Sequence, residues 1–210
     1  MSTQSPDIID LLAAIEPGSF LDRIRNQRPE TRINAQKSYL ALFEPVNETD
    51  VTRAERLVLA AFVAGLHQAA GATEFYVAGL SEASGGASLA AAVRTELIKA
   101  VTEGPYGHNP TGPLSVEDRP GPVYSVSDFG RAVFGAKLSA ALEHAHLLVF
   151  RPREASPDAL QKLLNASWTT TAIVTLSQLV AFLSFQIRVV AALSALGTAV
   201  QARAPRAAAE

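Results

Sequence analysis

The chain has no cysteine, and its single methionine is the first residue. That removes disulfides, thiol nucleophiles, thiolate metal sites and sulfur-based peroxide chemistry. No stretch alternates apolar and polar residues as a half-buried strand does, so an all-α fold is expected. Charge is nearly balanced, at a formal −2, which leaves no electrostatic footprint for nucleic acid. The start of the chain is polar and acidic rather than basic and then apolar, so no secretory leader and a cytoplasmic location are expected. There is also no phosphate-cradling glycine loop, nucleophile elbow or dinucleotide fingerprint, and no cofactor is expected.

What is abundant is apolar surface. Hydrophobic residues make up 48% of 210, enough for one large domain or two small halves. Residues 172–196 hold no proline, no glycine and one charge, which predicts a helix roughly 35–40 Å long. Leu176, Val180, Leu183, Ile187 and Val190 share one face of it at helical period. Two narrower polar stripes, one with Gln178 and Gln186 and the other with Ser177, Ser184 and Arg188, flank Val174, Ala181, Phe185 and Ala192. Such a helix is expected to be covered by the others and to meet a second subunit, giving a homo-oligomer. A bilayer span is not expected, because Arg188 and two glutamines lie inside the segment.

Punctuation divides the rest. Helices are expected over 6–15, stopped by Pro17 and Gly18, then from Ser19, and between Pro29 and Pro45. Arg23, Arg25, Arg28, Arg32 and Lys37 read as a solvated basic face. Thr52-Arg53-Ala54-Glu55 has capping-box form and opens an apolar helix closed by Gly71. Thr73 caps the next in this reading, and Gly85 and Gly86 break it. From Ser88 the period turns Leu89, Val93, Leu97, Ile98 and Val101 inward. The glycines and prolines of 104–125 predict an irregular connection, and 128–150 is helical with Phe129, Phe134, Leu138 and Leu142 inward. The resulting organisation is an N-terminal helical arm (1–50), a first helical half (51–103), the connection (104–125), a second half (126–197) and a flexible tail (198–210).

Two stretches resemble a known family. The pair of helices in TRAERLVLAAFVAGLHQAAGATEFYVAGL and the run from LEHAHLLVF to FLSFQIRVVAAL look like the two halves of carboxymuconolactone decarboxylase-like proteins of the AhpD-like alkylhydroperoxidase group. The resemblance spans roughly residues 35–197 and implies the AhpD-like helical fold. The family's peroxidatic motif, Cys-x-x-Cys-x-x-x-His, falls on Thr73, Tyr76 and Leu80, so its thiol chemistry does not carry over. Many relatives have Asn-Arg where this chain has Ile187-Arg188, and Arg188 alone is retained.

The resemblance therefore implies an oligomeric binding or accessory protein with a small-molecule ligand. The alternative is a cofactor-free, decarboxylase-type enzyme acting on a small carboxylate, for which His67 is the acid/base, paired with Glu74 or Tyr76. His144 and His146, two apart and so about 200° apart on a helix, are expected at the helix surface or an interface rather than on a shared metal. His108, with Asn109 and Asp118 in the connection, is expected to make a mobile polar contact.

Overall fold

In the computed structural model, residues 6–203 are described, and they form nine α-helices: α1 (Ile8–Leu12), α2 (Phe20–Asn26), α3 (Pro29–Phe43), α4 (Arg53–Leu66), α5 (Ala70–Ser81), α6 (Gly86–Ala100), α7 (Asp128–Phe150), α8 (Pro157–Asn165) and α9 (Thr170–Arg203). Among the described residues there is no strand, only one antiparallel bridge between Gly107 and Arg119 inside the connection. The all-α class is as expected.

The axis of the molecule is α4, not the longer α9. Every residue of α4 from Arg56 to Leu66 except Gly65 is buried, and α5, α6, α7 and α9 pack around it. An apolar surface on all sides can be satisfied only at the centre of a bundle. Ala60, Ala61, Ala64 and Gly65 let neighbours approach closely: a Cβ at Gly65 would lie 2.3 Å from a Leu97 methyl. Fully buried Leu59, Phe62 and Leu66 each contribute roughly 1.5–3 kcal/mol relative to exposure. The capping box forms as read, Glu55 also pairing with Lys137 at 2.9 Å.

Long as it is, α9 is covered on one side only. Leu176, Leu179, Leu183 and Ile187 face the core, whereas Val174 and Phe185 are exposed. By length and composition Thr170–Ala202 would suffice to cross a bilayer, but its inner face is used as a core helix uses it. The helix runs on through residues 198–203, where a flexible tail is expected; the rest of that tail lies outside the described residues.

Several local readings are corrected. Helix α4 closes at His67, not Gly71: the reversal is made by Gln68 in the left-handed region (φ 55°), and Gly71 lies inside α5. Thr73 is likewise interior, its hydroxyl donating to the Ala69 carbonyl one turn back. On α6 the inward face holds Glu96 while Ile98 is exposed. Phe129 points outward too. Two helical segments meet within α7 at Gly135 (φ 71°, ψ 174°), a conformation that favours glycine. Just beyond it, the Lys137 carbonyl accepts from Trp168 Nε1 (2.7 Å) and its ammonium lies 4.0 Å from the Trp168 ring centroid, joining α7 to the start of α9.

The basic face of the arm is not solvated at Arg25 and Arg32. Arg25 is buried against Asp7 and Asp10, and Arg32 reaches Asp10 and, at 2.7 Å, Asp22. These pairs lock α1, which is too short to persist alone, onto α2 and α3.

Candidate functional site

The residues singled out from the sequence do not converge. Thr73, Tyr76 and Leu80 occupy successive turns of α5, all buried. The Tyr76 hydroxyl donates to Gln186 Oε1 at 2.7 Å, its ring stacks on Phe43, and Leu80 is fully buried in the core. Burial pushes the Tyr76 phenol far above its ordinary pKa. At these three positions the chain is solidly packed. Glu74 is on the exposed side of α5 in a two-pronged pair with Arg94, 2.6 Å on each arm, and that hydrogen bonding holds its carboxyl below the usual range. Neither Glu74 nor Tyr76 hydrogen-bonds to His67.

His67 has a different partner. As the C-cap of α4 it is held at the end of the central helix, and its Nε2 lies 3.1 Å from Ser184 Oγ on α9. Arg188, one turn further along α9, opens onto the same cleft. Ser177, Val180, the Gly104-Pro105 segment and Leu148 to Phe150 at the end of α7 add to its walls; the cleft is open, with a volume of about 750 Å³, and Arg188 is itself exposed. The i, i+4 and i, i+7 spacing puts Ser177, Ser184 and Arg188 in one row of α9. Arg188 is the only charged residue in the lining and forms no ion pair among the described residues. Burial, helped by Arg188, lowers the His67 pKa, so the ring is neutral at pH 7 and has a lone pair to offer.

Such a cleft suits a small anion with an apolar body. A guanidinium can pair with a carboxylate, serine hydroxyls and a neutral imidazole can hydrogen-bond polar substituents, and Val180, Leu148 and Pro105 offer apolar surface. Among the described residues no group of three metal-ligating side chains is assembled.

His144 and His146 are not surface histidines. They are 7% and 2% exposed, because the connection folds back over α7 and stacks Tyr124 on His146, with ring centroids 4.8 Å apart. The signal for this in the sequence is slight: only the apolar run continuing through both positions. The end of the connection and the N-cap of α7 also deliver Tyr124 and Ser127 to Glu96, which accepts from the Tyr124 hydroxyl (2.7 Å), the Ser127 hydroxyl and the Ser127 amide. Burial raises the Glu96 pKa, but these donors outweigh it and hold it below the ordinary value. His108 does pair within the connection, 3.2 Å from Asp118.

No family model, curated protein or solved structure matches the chain.

Proposed function

We propose that the chain is a binding protein for small organic carboxylates, which it holds in the cleft between the end of α4, α9 and the end of α7. The observation that carries this reading is Arg188, the sole charge in the cleft lining and without a carboxylate partner among the described residues. The carboxylate lies against that guanidinium, its apolar body against Val180 and Leu148. The outward strip of α9, with Val174 and Phe185 exposed, favours a homo-oligomer. A chain of this kind would be cytoplasmic, and a thiol-free relative of the carboxymuconolactone decarboxylase-like proteins is the ancestry proposed for it.

Benzoate serves as the probe. Titration calorimetry should give saturable binding that weakens with added salt. A hydrogen bond to a charged group contributes about 1.5–3 kcal/mol, so Arg188→Gln should weaken binding by about tenfold or more. Equal affinity of Arg188→Gln and the parent chain would sink the proposal. A solution mass equal to one chain would remove the oligomer.

A second reading makes the same cleft catalytic, with neutral His67 accepting a proton from an acidic C–H bond of the bound carboxylate and returning it to the product carbon, and no cofactor involved. It is favoured by the lowered His67 pKa, which leaves the base free at neutral pH. Turnover that is lost in His67→Ala while benzoate still binds would establish it; turnover unchanged in His67→Ala would end it.

A further inference from the structure

A second open pocket, of about 650 Å³, lies between the end of α3, the loop of residues 44–52 and α9. On α9 it takes the stripe of Thr171, Thr175 and Gln178, whereas the Arg188 cleft takes that of Ser177, Ser184 and Arg188. The polar stripes of one helix thus serve two cavities.

Arg56 of α4 lines this pocket as a buried cation, 5% exposed. Its Nε donates to the Val51 carbonyl at 3.0 Å and its Nη1 to the Leu42 carbonyl at 2.6 Å, which clamps the guanidinium in one orientation. Nη2 is left over. It makes no hydrogen bond among the described residues, and it is not sealed as the unmatched atoms of Ser139, His144, Arg151 and Gln186 are. The one free amino group of a buried side chain that lines a pocket, and that still touches open space, is presented to that pocket.

Buried charge is ordinarily paired. Burial lowers the Arg56 pKa, opposed by Glu48 and Glu55, but both carboxylates are engaged elsewhere. Glu48 accepts from the Arg53 amide at 2.9 Å, and Glu55 serves the capping box and Lys137. The other charged residue in the lining is Asp50. Its Oδ1 accepts from the Thr169 hydroxyl at 2.8 Å, and its Oδ2 has no partner. Among the described residues neither Arg56 nor Asp50 forms an ion pair, with each other or with anything else. Opposite charges that share a pocket without meeting suit a ligand that carries both.

We infer that this pocket is a second ligand site, for a zwitterionic amino acid with an apolar side chain. The carboxylate takes Arg56 Nη2, the ammonium takes Asp50, and the side chain lies against Leu42, Pro45 and Phe182. The Arg188 cleft holds one charge and selects an acid; this pocket holds two and selects a molecule of no net charge.

The test uses the full chain carrying Arg188→Gln, so that the carboxylate cleft contributes nothing, and three probes of one skeleton. These are L-phenylalanine, 3-phenylpropionate, which lacks the ammonium, and 2-phenylethylamine, which lacks the carboxylate. In the ¹⁵N-labelled chain, L-phenylalanine should move the amides of Asn47, Asp50 and Thr175 and leave those of His67 and Ser184 in place. Each truncated probe should bind about tenfold or more weakly, having lost one charge-assisted contact. Asp50→Asn, which still accepts from Thr169, should weaken L-phenylalanine by about tenfold without weakening 3-phenylpropionate. Ala41→Trp, filling the pocket from an exposed position on α3, should weaken L-phenylalanine as much. Arg56 stays in place, since it also holds the end of α3 to α4. Four results would overturn the inference: no shift at about 10 mM L-phenylalanine, ten times the millimolar affinity that marks the weakest useful binding; shifts at His67 and Ser184 instead; a truncated probe binding as tightly as L-phenylalanine; or L-phenylalanine affinity unchanged by Asp50→Asn and Ala41→Trp.

Discussion

The Tyr76 hydroxyl and the Gln186 side-chain oxygen, both fully enclosed, meet at 2.7 Å and form the one polar contact by which α5 holds α9 across the core. Gln186 Nε2 already has no partner. Tyr76→Phe would leave the whole amide unmet, at a cost of about 1–3 kcal/mol, which for a chain of this size lowers Tm by roughly 2–12 °C. Replacing both, Tyr76→Phe with Gln186→Leu, should recover most of the loss, since two apolar groups of similar shape leave nothing unsatisfied. Thermal melts of the two single variants and the double variant check this; additive losses would contradict it.

Gly86 opens α6 directly after Gly85, which adopts the left-handed region at φ 72°. A Cβ at Gly86 would fall 1.8 Å from the Leu80 carbonyl oxygen, a backbone atom that cannot step aside. Gly86→Ala should therefore cost about 2 kcal/mol or more and separate the end of α5 from α6. Gly71→Ala, with open space around its Cβ position, should be near neutral or mildly stabilising. Denaturant midpoints of the two variants would distinguish them.

Arg25 ties Asp7 and Asp10 to α2. Removing the cation from a buried pair costs about 3–5 kcal/mol, and here the loss should stay local, because α1 packs outside the main core. With Arg25→Met, amides of Ile8–Leu12 should exchange hydrogen much faster, while those of α4 keep their protection. Equal acceleration in both helices would show that the arm is integral to the core.

Burial lowers the pKa of both His144 and His146 below the ordinary 6.5. Above about pH 6.5 neither state of the chain is charged there, so stability is unaffected. As pH falls below that value, the unfolded chain takes up protons that the folded one refuses, so stability declines until the folded pKa values are reached. The slope is at most about 1.4 kcal/mol per pH unit for each histidine. Melting between about pH 7.5 and 5.5 should show it, and His144→Phe with His146→Phe should make it shallower whatever the variant's absolute Tm, leaving the share of His67, whose pKa is lowered in the same direction.

Backbone punctuation was legible in the sequence. The starts at Ser19 and Thr52, the stop at Pro45 and the span of α7 all follow from local chemistry, in which a hydroxyl or a fixed φ acts on its own few neighbours, whereas α1 ends at Leu12, well before Pro17, with Ala14 in the left-handed region (φ 51°). Which face turns inward was less legible. Helical period alone puts Ile98 inside and Glu96 outside. The structure reverses them because Ser127 and Tyr124, some thirty residues later, supply the donors that make a buried carboxylate tolerable. The histidines fail to read for the same reason: the groups that cover His146 come from Tyr124, and the partner of His67 is Ser184, far along the chain. At Gly135 the periodicity of α7 hides a break, since a single left-handed glycine leaves no mark on apolar spacing.

The central helix also sets limits on how a chain like this can change over time. Because α4 is wrapped by α5 and α6 from before the connection and by α7 and α9 from after it, its apolar surface is shared property of both halves. Neither half can be shuffled into another gene, duplicated or discarded as a working module, since each would expose the side of α4 the other covers. Variation is channelled instead into the connection and the outer face of α9, where a new contact disturbs none of the packing on which the rest depends.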